Sequence, residues 1–159
     1  MLGMEKSFSL TVQYAMDDAD SAALPTRSQF RRWVRSALEQ DAEIVIRIVD
    51  LTEGRALNHD YRGKDYATNV LTFVYDDTDP LSGDIVLCAQ VIGNEAAQQH
   101  KTLMAHYAHL TVHGVLHLQG YDHIGNDEAR VMEKKEINIL TRLGFNDPYT
   151  ASCEAAITN

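Results

Sequence analysis

Three of the chain's seven histidines fall within HGVLHLQGYDH, residues 113–123. His113 and His117 stand at i and i+4, so on a helix their rings converge from successive turns and can grip one metal ion. Gly120 follows. A glycine there can take positive φ, end the helix and turn the chain back, bringing His123 round as a third ligand. Three neutral nitrogen ligands suit Zn²⁺, one per chain, and a fourth tetrahedral position left to water is the arrangement of catalytic sites. Zinc can lower the pKa of such a water to about 7, so hydrolysis is the implied reaction class.

His106 and His109 lie on the same helical stripe, which at about 100° per residue is about 80° wide. Around it, Met104, Leu110, Val112, Val115, Leu116 and Leu118 point in several directions, as on a helix buried within the protein. Buried imidazoles need partners. His106 and His109 read as hydrogen-bonded core residues, while His109 could also orient a metal ligand, as could Asp122, which could equally cap the turn. His59 and His100 lie off the stripe.

The spacing equals that of the protease motif HExxHxxGxxH, except that Gly114 replaces the glutamate that acts there as general base. Peptide hydrolysis by that route loses its proton acceptor. The other catalytic group must come from elsewhere, and LNHDYRGKDYATNVLTF, residues 57–73, places Arg62 and Lys64 ahead of a strand. A guanidinium offers two parallel donors to a phosphate, so Arg62 suits charge stabilisation in phosphoryl chemistry, although a solvated loop arginine has the same local sequence.

The elements that must position these groups read as follows. FSLTVQY (8–14), EIVIRIV (43–49), VLTFVY (70–75) and DIVLC (84–88) are β-branched or alternating stretches that predict strands. DDTDPLSG predicts a turn joining the last two as a hairpin. Phe30, Trp33, Val34, Ala37 and Leu38 recur at helical spacing after a Pro25-Thr26 start. A shorter helix should follow the second strand and end near Gly63. Residues 91–118 are helical in character with a break near Gly93 or around Lys101. Another helix should span residues 127–143, capped by Asn126 or Asp127 and ended by Gly144. The order predicts an α+β domain with a four-stranded mixed sheet over residues 1–150 and a loose tail from Pro148, with 151–159 outside the domain.

Fourteen Lys and Arg against 23 Asp and Glu give a net charge of −9, which opposes polyanion binding over the whole surface. Any RNA site must be local. Arg27, Arg31 and Arg35, with Arg32, fall at helical spacing opposite Phe30 and Trp33, and could contact RNA phosphates together with Lys64 or simply form a solvated face. Cys88 and Cys153 match no ligand spacing and read as free thiols, and neither a leader-like segment nor an apolar run of membrane length is present, so a cytoplasmic protein is expected.

The motifs HGVLHLQGYDH, LNHDYRGKDYATNVLTF and SGDIVLC (82–88) together resemble those of the YbeY family, and the resemblance covers residues 8–148 in element order. It implies a zincin-like fold with the zinc site on a buried helix and the turn after it. It also implies a zinc-dependent, single-strand-specific endoribonuclease acting in 16S ribosomal RNA 3′-end maturation and ribosome quality control. The zinc ligands would be His113, His117 and His123, with Arg62 and His117 catalytic, and the partners would be precursor rRNA, the small ribosomal subunit and assembly factors. The second motif departs from the family's PTDVLSF form, with Ala67, Asn69 and Thr72. Two other functions fit the residues: a zinc hydrolase of another substrate, and a ribosome assembly factor whose zinc is structural.

Overall fold

The computed structural model describes residues 6–16, 23–76, 78, 80–122 and 124–149. Four strands, β1 (Phe8–Ala15), β2 (Ala42–Val49), β3 (Val70–Asp76) and β4 (Leu81–Cys88), form one sheet in the order β1-β2-β4-β3. β1, β2 and β4 run parallel, and β3 pairs antiparallel with β4, as the expected hairpin requires. β4 starts three residues earlier than its apolar core suggests. Leu81, Ser82 and Gly83, read above as part of the turn, pair instead with β2 and β3, because Leu81 is fully buried and anchors the strand's start.

Five helices complete the fold: α1 (Arg27–Ala37), α2 (Leu51–Arg62), α3 (Ala89–Gln98), α4 (Leu103–Leu118) and α5 (Asn126–Arg142). α1 opens on a reciprocal capping box, the Thr26 hydroxyl accepting from the Gln29 N–H and the Gln29 side chain accepting from the Thr26 N–H. The break expected near Gly93 or Lys101 falls at residues 99–102, where Thr102 caps α4, while Gly93 stays inside α3. α5 begins one residue earlier than expected, at Asn126. Its N-cap is Gly125, which offers no side-chain oxygen; Asp127 and Glu128 in the first turn complement the helix dipole instead.

Most helices cover one face of the sheet. Ile44, Ile46 and Ile48 of β2 alternate with Glu43, Val45 and Arg47, so one face is apolar, and it packs with Phe30 and Trp33 of α1, Tyr107 and Leu116 of α4 and Met132 of α5. Each large side chain buried there contributes on the order of 1.5–3 kcal/mol. A smaller cluster of Val49, Leu71, Val86 and Cys88, with Leu57 of α2, occupies the other face.

α4 is the central rod, touching α1, α3, α5, β3 and β4. Its closeness to the sheet depends on two glycines. A Cβ on Gly114 would stand 3.2 Å from two carbons of the fully buried Ile85, and one on Gly83 would stand 2.8 Å from Leu118 and from the Phe73 carbonyl oxygen. The position at which the protease motif carries its glutamate is therefore packed against β4. No helix among the described residues is long and apolar enough to cross a membrane.

Candidate active site

α4 presents its histidines as a ladder, with ring centroids 6.2 Å apart from His106 to His109 and 6.4 Å apart at each of the next two steps. The last pair, His113 and His117, is nearly parallel, at 12°. Both rings are fixed through Nδ1. His113 Nδ1 lies 2.6 Å from Glu136 Oε2, and His117 Nδ1 lies 3.0 Å from the Tyr121 carbonyl oxygen. Ionised carboxylates and carbonyls only accept, so each Nδ1 carries a proton and Nε2 is the nitrogen a metal would take.

The turn after α4 provides the second of these anchors. Gly120 has φ +102°, and the Gly120 and Tyr121 N–H groups donate back to the carbonyls of His117 and Leu116, the paired bonds of a Schellman motif. That turn places the Tyr121 carbonyl under His117. His123, the expected third ligand, lies outside the described residues. The donor set that is described fits zinc: two imidazoles one turn apart, their tautomers fixed by a carboxylate and a carbonyl.

Glu136 is the main residue that the sequence reading missed. It is fully buried on α5, where it accepts from His109 Nε2 at 2.9 Å, from His113 and from the Tyr149 hydroxyl. Burial would raise its carboxyl, but the bonds from His109 and His113 outweigh it and hold it at about 2, so Glu136 is ionised at neutral pH. The signal was available, since Met132, Glu136, Ile139 and Leu140 share α5's buried face, where an unpartnered carboxylate is not expected. His109 is thus tied to His113 through Glu136 as well as packed in the core. The tail is corrected at its start: Pro148 is buried and Tyr149 bonds Glu136, while residues 150–159, including Cys153, lie outside the described set. Cys88 is a free, buried thiol.

In front of His113 and His117 opens a cleft of about 450 Å³, with Arg62, Thr68, Asn69, Thr72 and Asp122 among its lining residues. Arg62 is the last residue of α2, placed by Gly63, which ends the helix at φ +69°. It has no hydrogen-bond or ion-pair partner among the described residues. Lys64 is exposed just beyond it. Asp122 lies in the cleft wall, one position short of His123. Asn69, at the departure from the PTDVLSF form, donates its amide to Glu95 at 3.0 Å, and the same carboxylate oxygen binds His106 Nε2 at 2.9 Å.

Arg27, Arg31 and Arg35 are elsewhere. Arg27 donates to the Val12 carbonyl and lies over the Tyr14 ring, and Arg31 and Arg35 lie over Phe8. They line the β1 edge, three strand spacings or roughly 14 Å from β3 and the cleft.

Fold and site together define an α+β domain that aims a histidine pair from a buried helix into a cleft bearing a cation, an arrangement suited to metal-assisted hydrolysis. The profile of the endoribonuclease YbeY family matches residues 14–144. A protein of Nitrosomonas europaea named endoribonuclease YbeY is 63% identical over 145 residues, covering 91% of this chain and 87% of that protein. One of Methylobacillus flagellatus with the same name is 53% identical, covering 90% and 94%. The solution structure of a Thermotoga maritima protein superposes with a TM-score of 0.59 at 22% identity, covering 82% of this chain and 86% of that one, and supports the fold. The chain belongs to the endoribonuclease YbeY family, and with it to the hydrolases.

Proposed function

We propose that the cleft cleaves phosphodiester bonds of single-stranded RNA with zinc held by His113, His117 and His123, in the maturation of the 16S rRNA 3′ end and in ribosome quality control. The observation that carries this reading is the pairing, on one cleft, of two Nδ1-anchored imidazoles with the guanidinium of Arg62, which has no partner among the described residues. Zinc, when bound, supplies Lewis acidity and acidifies a coordinated water toward neutral pH. Arg62 binds the scissile phosphate and stabilises the charge that develops on its oxygens. Glu136 and the Tyr121 carbonyl hold the two ligand rings in one tautomer, so no reorientation is needed when substrate arrives.

Exposed aromatics favour a single-stranded substrate. Tyr61 and Tyr66, 67% and 56% exposed, flank Arg62 in sequence, and unpaired bases can stack on such rings. The extensive core argues against a purely structural zinc, because a domain with this much buried apolar surface does not need a metal to fold. Precursor rRNA, the small subunit and its assembly factors are the partners this reading implies.

Metal analysis paired with cleavage of a defined single-stranded RNA tests the reading. One zinc per chain and zinc-dependent cutting are expected in the wild type, with both lost in His117→Ala. Bound zinc without any zinc-dependent cutting would overturn it in favour of an assembly factor.

A further inference from the structure

Glu95 of α3, half-buried, and the buried His106 of α4's ladder form a second carboxylate–histidine pair, and it ends at the cleft rather than at His113 and His117. His106 is 3% exposed, and burial holds its ring below the ordinary value despite the bond to Glu95, so its Nε2–H is a donor on a neutral ring. Glu95 Oε1 thus accepts from two sides, His106 Nε2 at 2.9 Å and Asn69 Nδ2 at 3.0 Å. The arrangement settles which way the Asn69 amide faces. The Oε1 that accepts from His106 has no proton to give Asn69, so the amide nitrogen must point at it and Oδ1 must point away from it.

Asn69 itself lines the cleft with Arg62, Thr68 and Thr72. No described residue donates to its Oδ1, and that atom is not one of the enclosed, unsatisfied polar atoms, so solvent or substrate reaches it. The cleft therefore holds a cation for phosphate and, beside it, a carbonyl acceptor fixed from behind. Along an RNA backbone every phosphate, ester and ring oxygen only accepts; the 2′-hydroxyl is the one internal group that donates, and DNA lacks it.

We propose that Asn69 is a specificity residue: its Oδ1 accepts a hydrogen bond from a ribose 2′-hydroxyl of the bound strand, with Glu95 and His106 positioning the amide. The inference rests on the endoribonuclease reading above and adds how the site tells RNA from DNA. Thr68 and Thr72 do not share this assignment, since a hydroxyl rotor can donate as readily as accept and does not discriminate on its own.

The experiment measures kcat/KM on a single-stranded oligoribonucleotide and on copies carrying one 2′-deoxy substitution at each position in turn, for the wild type, Asn69→Ala and Glu95→Gln. At one nucleotide the wild type should lose about tenfold, the worth of one neutral hydrogen bond. Asn69→Ala should be about tenfold slower on the all-ribose strand and insensitive to the deoxy substitution at that nucleotide, with zinc content unchanged. Glu95→Gln should show an intermediate sensitivity there, because its Asn69 amide is no longer held in one orientation. A 2′-hydroxyl that serves as the nucleophile would be required equally by all three proteins and so does not imitate this pattern. The proposal is overturned if Asn69→Ala keeps the wild-type sensitivity at every position, or if its effect follows base identity instead of the 2′ group. A wild type that cuts no better than His117→Ala overturns the endoribonuclease reading itself, and this inference with it.

Discussion

The two edges of the sheet use arginine in opposite ways. At the β1 edge, Arg27, Arg31 and Arg35 are occupied by the fold, one donating to a backbone carbonyl and all three lying over the rings of Phe8 and Tyr14. Such cation–π contacts are worth about 0.5–1 kcal/mol each at exposed sites. At the β3 edge, Arg62 has no partner among the described residues and shares a cleft with His113 and His117, each fixed through Nδ1. A run of basic residues is thus a weaker pointer to a phosphate site than one guanidinium without a partner among the described residues. What counts is the interaction still to be made.

The comparison predicts a graded series of effects. His117→Ala should abolish zinc-dependent cleavage, because it removes a ligand that no neighbouring donor replaces; inductively coupled plasma analysis should find zinc lost while circular dichroism stays native. Arg62→Ala should retain zinc and slow cleavage roughly 10²–10³-fold, the usual loss when one donor to a developing oxyanion is removed. Wild-type turnover in that variant would erase the contrast between the edges. Glu136→Gln should weaken zinc binding about 10–100-fold in a competition titration, since the carboxylate that fixes His113 is replaced by a group that can present a donor instead. The smallest effect belongs to the β1 edge. Reversing Arg31 and Arg35 to Glu should change RNA affinity less than a few-fold and leave its salt slope within about one phosphate contact of the wild type, with turnover at saturating RNA intact. A slope flattened by about two contacts would return those arginines to the RNA site and erase the contrast between the edges.

Legibility differed between levels of structure. The β2 alternation of Ile44, Ile46 and Ile48 with polar neighbours marked a one-sided strand, and the Thr26 start and the Gly63 and Gly144 stops marked helix ends, because each rests on local backbone chemistry. Leu81–Gly83 were harder. Their turn-like composition yielded to pairing with β2, a neighbour more than thirty residues away that no local window contains.

By itself the sequence determined the histidine spacing of 113, 117 and 123, the turn at Gly120 and the absence of a base at Gly114, since all of these follow from helix period and side-chain chemistry. Only the tertiary structure decided that Glu136 and Tyr149 close on His109 and His113, that Glu95 holds the amide of Asn69 at the cleft wall, and that Arg62 rather than the arginine run lines the cleft. The physical reason is distance along the chain. A buried carboxylate can be recognised as needing partners from its place on an apolar helix face, but which donors reach it is settled by how α5 and α3 pack on α4.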